Sequence, residues 1–186
     1  MEGEQRNGKT PLLDFASALR LTSKAWPVIA IATIGLCYLT QLVAGWFGIE
    51  LPDQANIDLV RRCAGWNWNF AFLCAQVLVL IPAFEELIFR YLLWRLPARA
   101  LDRRRETEDG RRTWVPAAGA VVSSALFSAA HYIAQPWPDA AFLALFFFGL
   151  AQCWLYRKTE RIWCPILNHG LFNLTNLILL FVLPEA

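Results

Sequence analysis

The stretch LIPAFEELIFRYLLW, residues 80–94, places three formal charges inside an otherwise apolar run. The charges belong to Glu85, Glu86 and Arg90. An ionisable side chain at membrane depth costs ~2.5–3.5 kcal/mol on insertion scales, so such residues are functional candidates by default. The meaning of this stretch therefore depends on whether the sequence around it crosses a bilayer.

Apolar residues make up 57% of the 186-residue chain, above the ~45–50% that is usual for soluble domains. They collect in five blocks, each close to the ~20 residues that a helix needs to cross a bilayer. The blocks are residues 26–48, 66–94, 115–134, 140–156 and 162–183. A soluble bundle of buried helices is the alternative, but blocks this long disfavour it. The pattern predicts one all-α domain over residues 1–186, a polytopic integral membrane helical bundle of about five transmembrane helices.

The first 24 residues are polar and mixed in charge, and we expect them to lie in the cytoplasm. Within them, Leu12, Phe15 and Leu19 recur at helical spacing, with Arg20 and Lys24 following. That pattern is typical of an amphipathic helix on the membrane surface, although a polar tail fits it equally well.

The five cysteines are odd in number and form no CxxC pair, so neither a disulfide framework nor a zinc ribbon follows from their spacing. We expect ordinary buried thiols. The cysteines are Cys37, Cys63, Cys74, Cys153 and Cys164.

Basic residues are distributed unequally between the two sides of the predicted bundle. Fourteen Lys and Arg fall in segments 1–25, 95–114 and 157–161, and two fall in the segments on the other side. Because basic loops stay in the cytoplasm, the amino terminus is predicted to be cytoplasmic, in a bacterial inner membrane. The run RALDRRRETEDGRR also resembles a nucleic-acid-binding segment, but a short loop between spans favours the topological explanation, so no nucleic-acid partner is expected.

Two of the three charges in residues 80–94 can pair with each other, and the third, Glu85, cannot. Glu86 and Arg90 are four residues apart, on one helical face and in the favourable acid-first order, so we predict an ion pair. Glu85 lies ~100° away from Glu86 and about 140° from Arg90 around the helix. It is left without an evident partner on its own helix.

The only two histidines of the chain also fall in predicted spans. His131 closes ALFSAAHY in the third block, and His169 opens HGLFN in the fifth. Asn173 follows His169 by four residues and therefore shares its helical face.

A carboxylate, two imidazoles and an amide at membrane depth suit peptide hydrolysis without a covalent nucleophile. The carboxylate or an imidazole can take a proton from water, and the other groups can stabilise a developing oxyanion. The same carboxylate and imidazoles could instead hold a divalent metal with an open position for water, although the sequence has no HExxH. The residues leave both mechanisms open.

These residues resemble the CPBP (Abi) family of intramembrane proteases, which includes the type II CAAX prenyl endopeptidases. The family's three patterns are EExxxR, FxxxH and HxxxN or HxxxD, on separate helices. Here they are EELIFR (85–90), FSAAH (127–131) and HGLFN (169–173). The similarity covers roughly residues 70–177.

The resemblance implies roles for the motif residues. Glu85 would be the general base, acting with His131 on the water, while His169 and Asn173 would stabilise the oxyanion. Glu86 and Arg90 would brace the site. We favour this glutamate mechanism without a cofactor, because Asn173 suits an oxyanion better than a metal. The alternative is zinc held by Glu85, His131 and His169.

The implied partners are the lipid bilayer and a membrane-anchored protein or peptide, cut in the manner of a CAAX protease. Other functions remain open: two histidines could ligate a haem, a carboxylate and histidines could relay protons in a carrier, and the fold could serve as a catalytically silent scaffold or immunity protein. Counting ~1.5 Å per residue from the predicted cytoplasmic ends puts His169 ~10 Å, Glu85 ~14 Å and His131 ~24 Å deep, which is not one level.

Overall fold

A computed structural model describes residues 13–51, 60, 62–65, 67–105, 115–133 and 140–182 of the chain. Within these ranges every regular element is helical, and no strand is present. A 3₁₀ turn, His131–Ile133, directly follows the third long helix. The five long helices are α1 (Phe15–Trp46), α2 (68–105), α3 (Val115–Ala130), α4 (Ala141–Thr159) and α5 (Trp163–Val182).

α1 begins at Phe15 because Asp14 caps it, its Oδ1 accepting a hydrogen bond from the backbone N–H of Ser17 at 2.7 Å. That bond also holds the pKa of the Asp14 carboxyl below its usual value. The helix then runs without a break to Trp46. The amphipathic segment predicted over residues 12–24 is thus not a separate helix. Its described part forms the first turns of α1, because nothing in it ends the helix.

α2 is one helical run whose hydrogen-bonding pattern alternates between α and π. In chain order its segments are Trp68–Ala75 (α), Gln76–Leu80 (π), Ile81–Glu86 (α), Leu87–Arg95 (π) and Leu96–Arg105 (α). Stretches of π-helix are rare and frequently occur at functional sites. Glu85 and Glu86 lie between the two π stretches, at the end of the middle α segment.

The first π stretch leads into Pro82, which has no backbone N–H. The N–H of Ile81 donates to the carbonyl of Gln76, five residues back. In the same pattern the carbonyl of Val77 would accept from residue 82, where the donor does not exist. The helix itself therefore leaves the Val77 carbonyl open.

Two glycines let helices approach one another closely. A Cβ added at Gly149 of α4 would lie 2.9 Å from the Ser124 Cβ of α3. A Cβ added at Gly170 of α5 would overlap the carbonyl oxygen of Leu78 in α2. Small residues at helix crossings are typical of membrane bundles, which are held by close van der Waals packing. α5 consequently lies directly against the backbone of α2.

Aromatic rings fill the centre between α3, α4 and α5. Phe127 and Phe148 are buried and stacked, with ring centroids 6.1 Å apart. Phe172 packs on Phe148 with centroids 4.6 Å apart. Small residues of α1, including Ala18 and Ala25, cover the same cluster.

Three helices of the described chain are long and apolar enough to cross a membrane: Phe15–Trp46, Trp68–Ala100 and Trp163–Val182. Many large apolar side chains point outward, Trp46 and Trp68 being 90% and 89% exposed. Such a surface suits lipid rather than water. The fold is an all-α membrane helical bundle, as predicted, and each of the five apolar blocks corresponds to one long helix.

The turn between α4 and α5 is tied to the end of α2. Glu160 ends α4 in the left-handed region, with φ 53° and ψ 21°. Its two carboxylate oxygens bind Arg95 and Arg99, the latter at 2.6 Å. Burial alone would raise the pKa of the Glu160 carboxyl, but the two guanidinium groups hold it below its usual value. We call these three residues the Glu160 cluster.

Candidate active site

Glu86 and Arg90 form the predicted ion pair in the centre of the bundle. Arg90 Nε lies 3.1 Å from Glu86 Oε2, and both side chains are completely buried. The two Nη atoms of Arg90 have no hydrogen-bond partner among the described residues. Its guanidinium carbon instead lies 4.2 Å from the centroid of the Phe127 ring, within range of a cation–π interaction.

His169 lies between the two adjacent glutamates. Its Nδ1 is 3.0 Å from Glu86 Oε1, a hydrogen bond, and its Nε2 is 3.6 Å from Glu85 Oε2. The second distance is too long for a direct hydrogen bond. α5 therefore presents one imidazole to both carboxylates of α2.

The two glutamates differ in environment although they are neighbours. Glu86 is fully buried and held on one side by Arg90 and on the other by His169. The side chain of Glu85 is 22% exposed and lies beside the Nε2 of the same imidazole. Of these two glutamates, Glu85 is the one that combines partial exposure with a position next to His169, so it is the one that a water molecule could reach.

His131 packs against the ring of Phe127, which also packs against His169. The predicted span runs to residue 134, but α3 ends at Ala130 and His131 begins the 3₁₀ turn. The Nδ1 of His131 lies 2.9 Å from the carbonyl oxygen of Phe127. The Phe127 ring lies 4.8 Å from the His131 ring and 5.9 Å from the His169 ring, centroid to centroid. If Nδ1 carries the proton that this carbonyl accepts, the Nε2 of His131 holds a lone pair.

Asn173 faces α2, on the same side of α5 as His169. Its Nδ2 donates a hydrogen bond of 2.8 Å to the carbonyl of Val77, the acceptor that the proline leaves open. The predicted shared face is confirmed, since both side chains bond to α2. The amide does not contact the glutamates.

In the alternative mechanism, a metal would be held by Glu85, His131 and His169. In the part of the chain that the structure describes, no three His, Cys, Asp or Glu side chains are grouped so that they could hold a metal ion. The Nδ1 of His169 is occupied by Glu86. Glu85, His131 and His169 do not form a ligand set in this arrangement.

Sequence reasoning missed the aromatic and amide residues around His169. Phe148 packs edge-on against its ring, with centroids 5.1 Å apart. The preceding residue, Asn168, is fully buried and accepts a hydrogen bond from Gln152 of α4 at 3.2 Å. Polar residues inside apolar blocks were the available signal, since Gln152 is the one amide side chain in block 140–156.

The sequence model of the type II CAAX prenyl endopeptidase Rce1-like family matches residues 67–175, more than half of the chain. The chain belongs to this family. The Rce1-like match includes all three motifs, and it makes the protein an integral membrane protease of the CAAX type at the level of the family. No curated protein and no solved structure gave a significant match.

Proposed function

We propose that the protein is an intramembrane endopeptidase in which Glu85 activates water to cut a peptide bond of a membrane-associated substrate. The observation that carries the proposal is the contrast between the adjacent glutamates. The carboxylate of Glu86 is engaged by Arg90 and His169, whereas Glu85 is partly exposed beside the Nε2 of His169. A general base needs a free carboxylate within reach of water, and Glu85 meets that condition.

The remaining motif residues fit the same reaction. Glu85 takes a proton from water as the water oxygen bonds to the scissile carbonyl carbon, and His131 helps to orient that water. The carbonyl oxygen becomes negative and is stabilised by an N–H of Asn173 and by the Nε2 of His169, which donates when both nitrogens of that imidazole carry a proton. The C–N bond then breaks, and Glu85 returns the proton to the leaving amine.

The substrate that we propose is a membrane-anchored protein or peptide cut near its carboxy-terminal tail, with a prenylated tail as the first candidate from the family. We place the protein in a bacterial inner membrane with its amino terminus in the cytoplasm, since basic residues strongly favour that side.

The test compares three glutamate-to-glutamine variants on fluorogenic carboxy-terminal peptides, with and without a prenyl group, in detergent or vesicles. Glu85→Gln should abolish turnover while protein accumulates normally. Glu86→Gln should lower both folded yield and turnover, because it leaves buried Arg90 without its charged partner. Glu50→Gln, at an exposed residue after α1, is the matched control and should behave like the wild type. An active Glu85→Gln protein would refute the mechanism.

Metal dependence is tested separately. We expect a strong chelator to leave the turnover of the purified protein unchanged, and added zinc or cobalt to have no effect. One tightly bound divalent ion per chain, lost in His169→Ala, would refute the glutamate mechanism but leave the protease function standing.

A further inference from the structure

The Val77 carbonyl determines which way the Asn173 amide faces. An asparagine amide can rotate by half a turn and exchange its oxygen for its NH₂ group. A carbonyl at 2.8 Å accepts the NH₂ group and repels the oxygen, so this contact fixes the amide with nitrogen toward Val77. One N–H of the Asn173 amide then donates to the Val77 carbonyl, and the second N–H is held in a defined direction.

The contact exists because α2 contains a proline at one position. In an α pattern Val77 would accept from Ile81, but that N–H donates to Gln76. In a π pattern it would accept from residue 82, and Pro82 has no N–H. With any other residue at 82, α2 could satisfy the Val77 carbonyl by itself, and the partly buried Asn173 amide would have to compete for it.

The close approach of α5 supports the same arrangement. Gly170 lies against the Leu78 carbonyl with no room for a Cβ. Asn173 is one turn further along α5, and its short side chain reaches the neighbouring carbonyl because the two backbones are so close.

We propose that Pro82 is a positioning residue, which withholds a backbone donor so that the Val77 carbonyl can hold the Asn173 amide with an N–H turned to the reacting oxygen. The inference rests on the proposed function, because it assigns Asn173 to the oxyanion. It adds a cause for the orientation of that amide, which a helix with a donor at residue 82 would lack.

The main test is Pro82→Ala, which supplies the missing N–H. We expect the protein to accumulate normally, kcat to fall about ten- to a hundredfold because an oxyanion donor is misplaced, and KM to change little. Adding Asn173→Ala to this variant should cost far less than the ~10²–10³ that removing an oxyanion donor costs in the wild type. Pro27→Ala, at the proline inside α1, is the matched control and should keep its turnover.

A backbone ester separates the missing donor from the shape of the ring. Lactic acid incorporated at position 82 has the methyl group of alanine but no N–H. We expect the ester variant to have a turnover within about twofold of the wild type, because it again lacks the N–H at position 82. An ester variant as slow as Pro82→Ala would overturn the proposal, because ring geometry rather than the absent donor would then matter.

A spectroscopic readout does not depend on activity. In protein labelled with ¹⁵N at asparagine, the side-chain NH₂ signal of Asn173, assigned by its loss in Asn173→Ala, should shift in Pro82→Ala and return in the ester variant. An unchanged signal in Pro82→Ala would overturn the inference. Failure of the proposed function looks different, since Glu85→Gln and Asn173→Ala would then both retain wild-type turnover.

Discussion

Two glutamates of this protein each bind two basic partners, in opposite surroundings. Glu86 binds Arg90 and His169 in the dry centre of the bundle, with no exposed surface on either charged side chain. Glu160 binds Arg95 and Arg99 at the end of α2, where its side chain is 25% exposed and that of Arg99 is 44% exposed. Each glutamate has two partners, so we expect the difference in their contributions to stability to come from access to water.

The largest loss of folding stability is expected for Glu86→Gln. It leaves Arg90 buried without its charged partner, which typically destabilises a protein by ~3–5 kcal/mol. Unfolding on heating can be followed by the labelling of buried Cys153 and Cys164 with a thiol-reactive dye. The more accessible cysteines should first be replaced by serine; they are Cys37, Cys63 and Cys74.

The double variant Glu86→Gln, Arg90→Met removes both charges of the central pair. Replacing a whole buried pair is often neutral, so part of the lost stability should return. Turnover should not return, because His169 still lacks its Glu86 partner. A Glu86→Gln variant as stable as the wild type would show that water reaches the central pair.

Glu160→Gln should destabilise far less, by about 0–1 kcal/mol, because partly exposed ion pairs contribute little. Glu160→Gly loses the same pairs but removes the cost of a left-handed non-glycine residue. We therefore expect the glycine variant to be at least as stable as the glutamine variant in the same dye assay. A loss as large as that of Glu86→Gln would show that partial exposure does not weaken the ion pairs of Glu160.

Salt should separate the two clusters. At about 1 M salt the screening length falls to ~3 Å, so the stability difference between wild type and Glu160→Gln should nearly vanish. The difference between wild type and Glu86→Gln should persist, since buried pairs are screened much less. Equal salt sensitivity of the two differences would contradict the burial of Glu86.

The smallest effect concerns pH. The pKa of Glu160 is lowered from its ordinary value of 4.5 in the folded protein. The stability that its ionised form contributes is therefore complete above that ordinary value and lost as the pH falls through the lower folded pKa. The difference in melting temperature between wild type and Glu160→Gln should be constant at neutral pH and shrink only in acid.

Much of the fold could be predicted because its signals are local. Each apolar block became one long helix, since block length follows directly from bilayer thickness. The Glu86–Arg90 pair and the shared face of His169 and Asn173 follow from helical spacing within one segment. These relations need no knowledge of a second helix.

The rest of the site depends on contacts between helices, which spacing cannot supply. The hydrogen bond from His169 to Glu86 joins α5 to α2, and the sequence left Glu86 with Arg90 alone. Depths counted at ~1.5 Å per residue hold for regular α-helices, whereas α2 contains two π stretches and α3 ends one residue before His131. The roles of the site residues stay predictions until they are tested.

The backbone of Glu160 has a consequence for how this family can diverge. Glycine adopts the left-handed conformation without strain. A glutamate in that conformation is strained, and its ion pairs with the two arginines offset the cost. Acidic residues at 160 should therefore occur in relatives that keep basic residues at 95 and 99, and glycine or asparagine should replace them where those arginines are lost. One backbone angle would thus make two positions 65 residues apart in the chain change together during evolution.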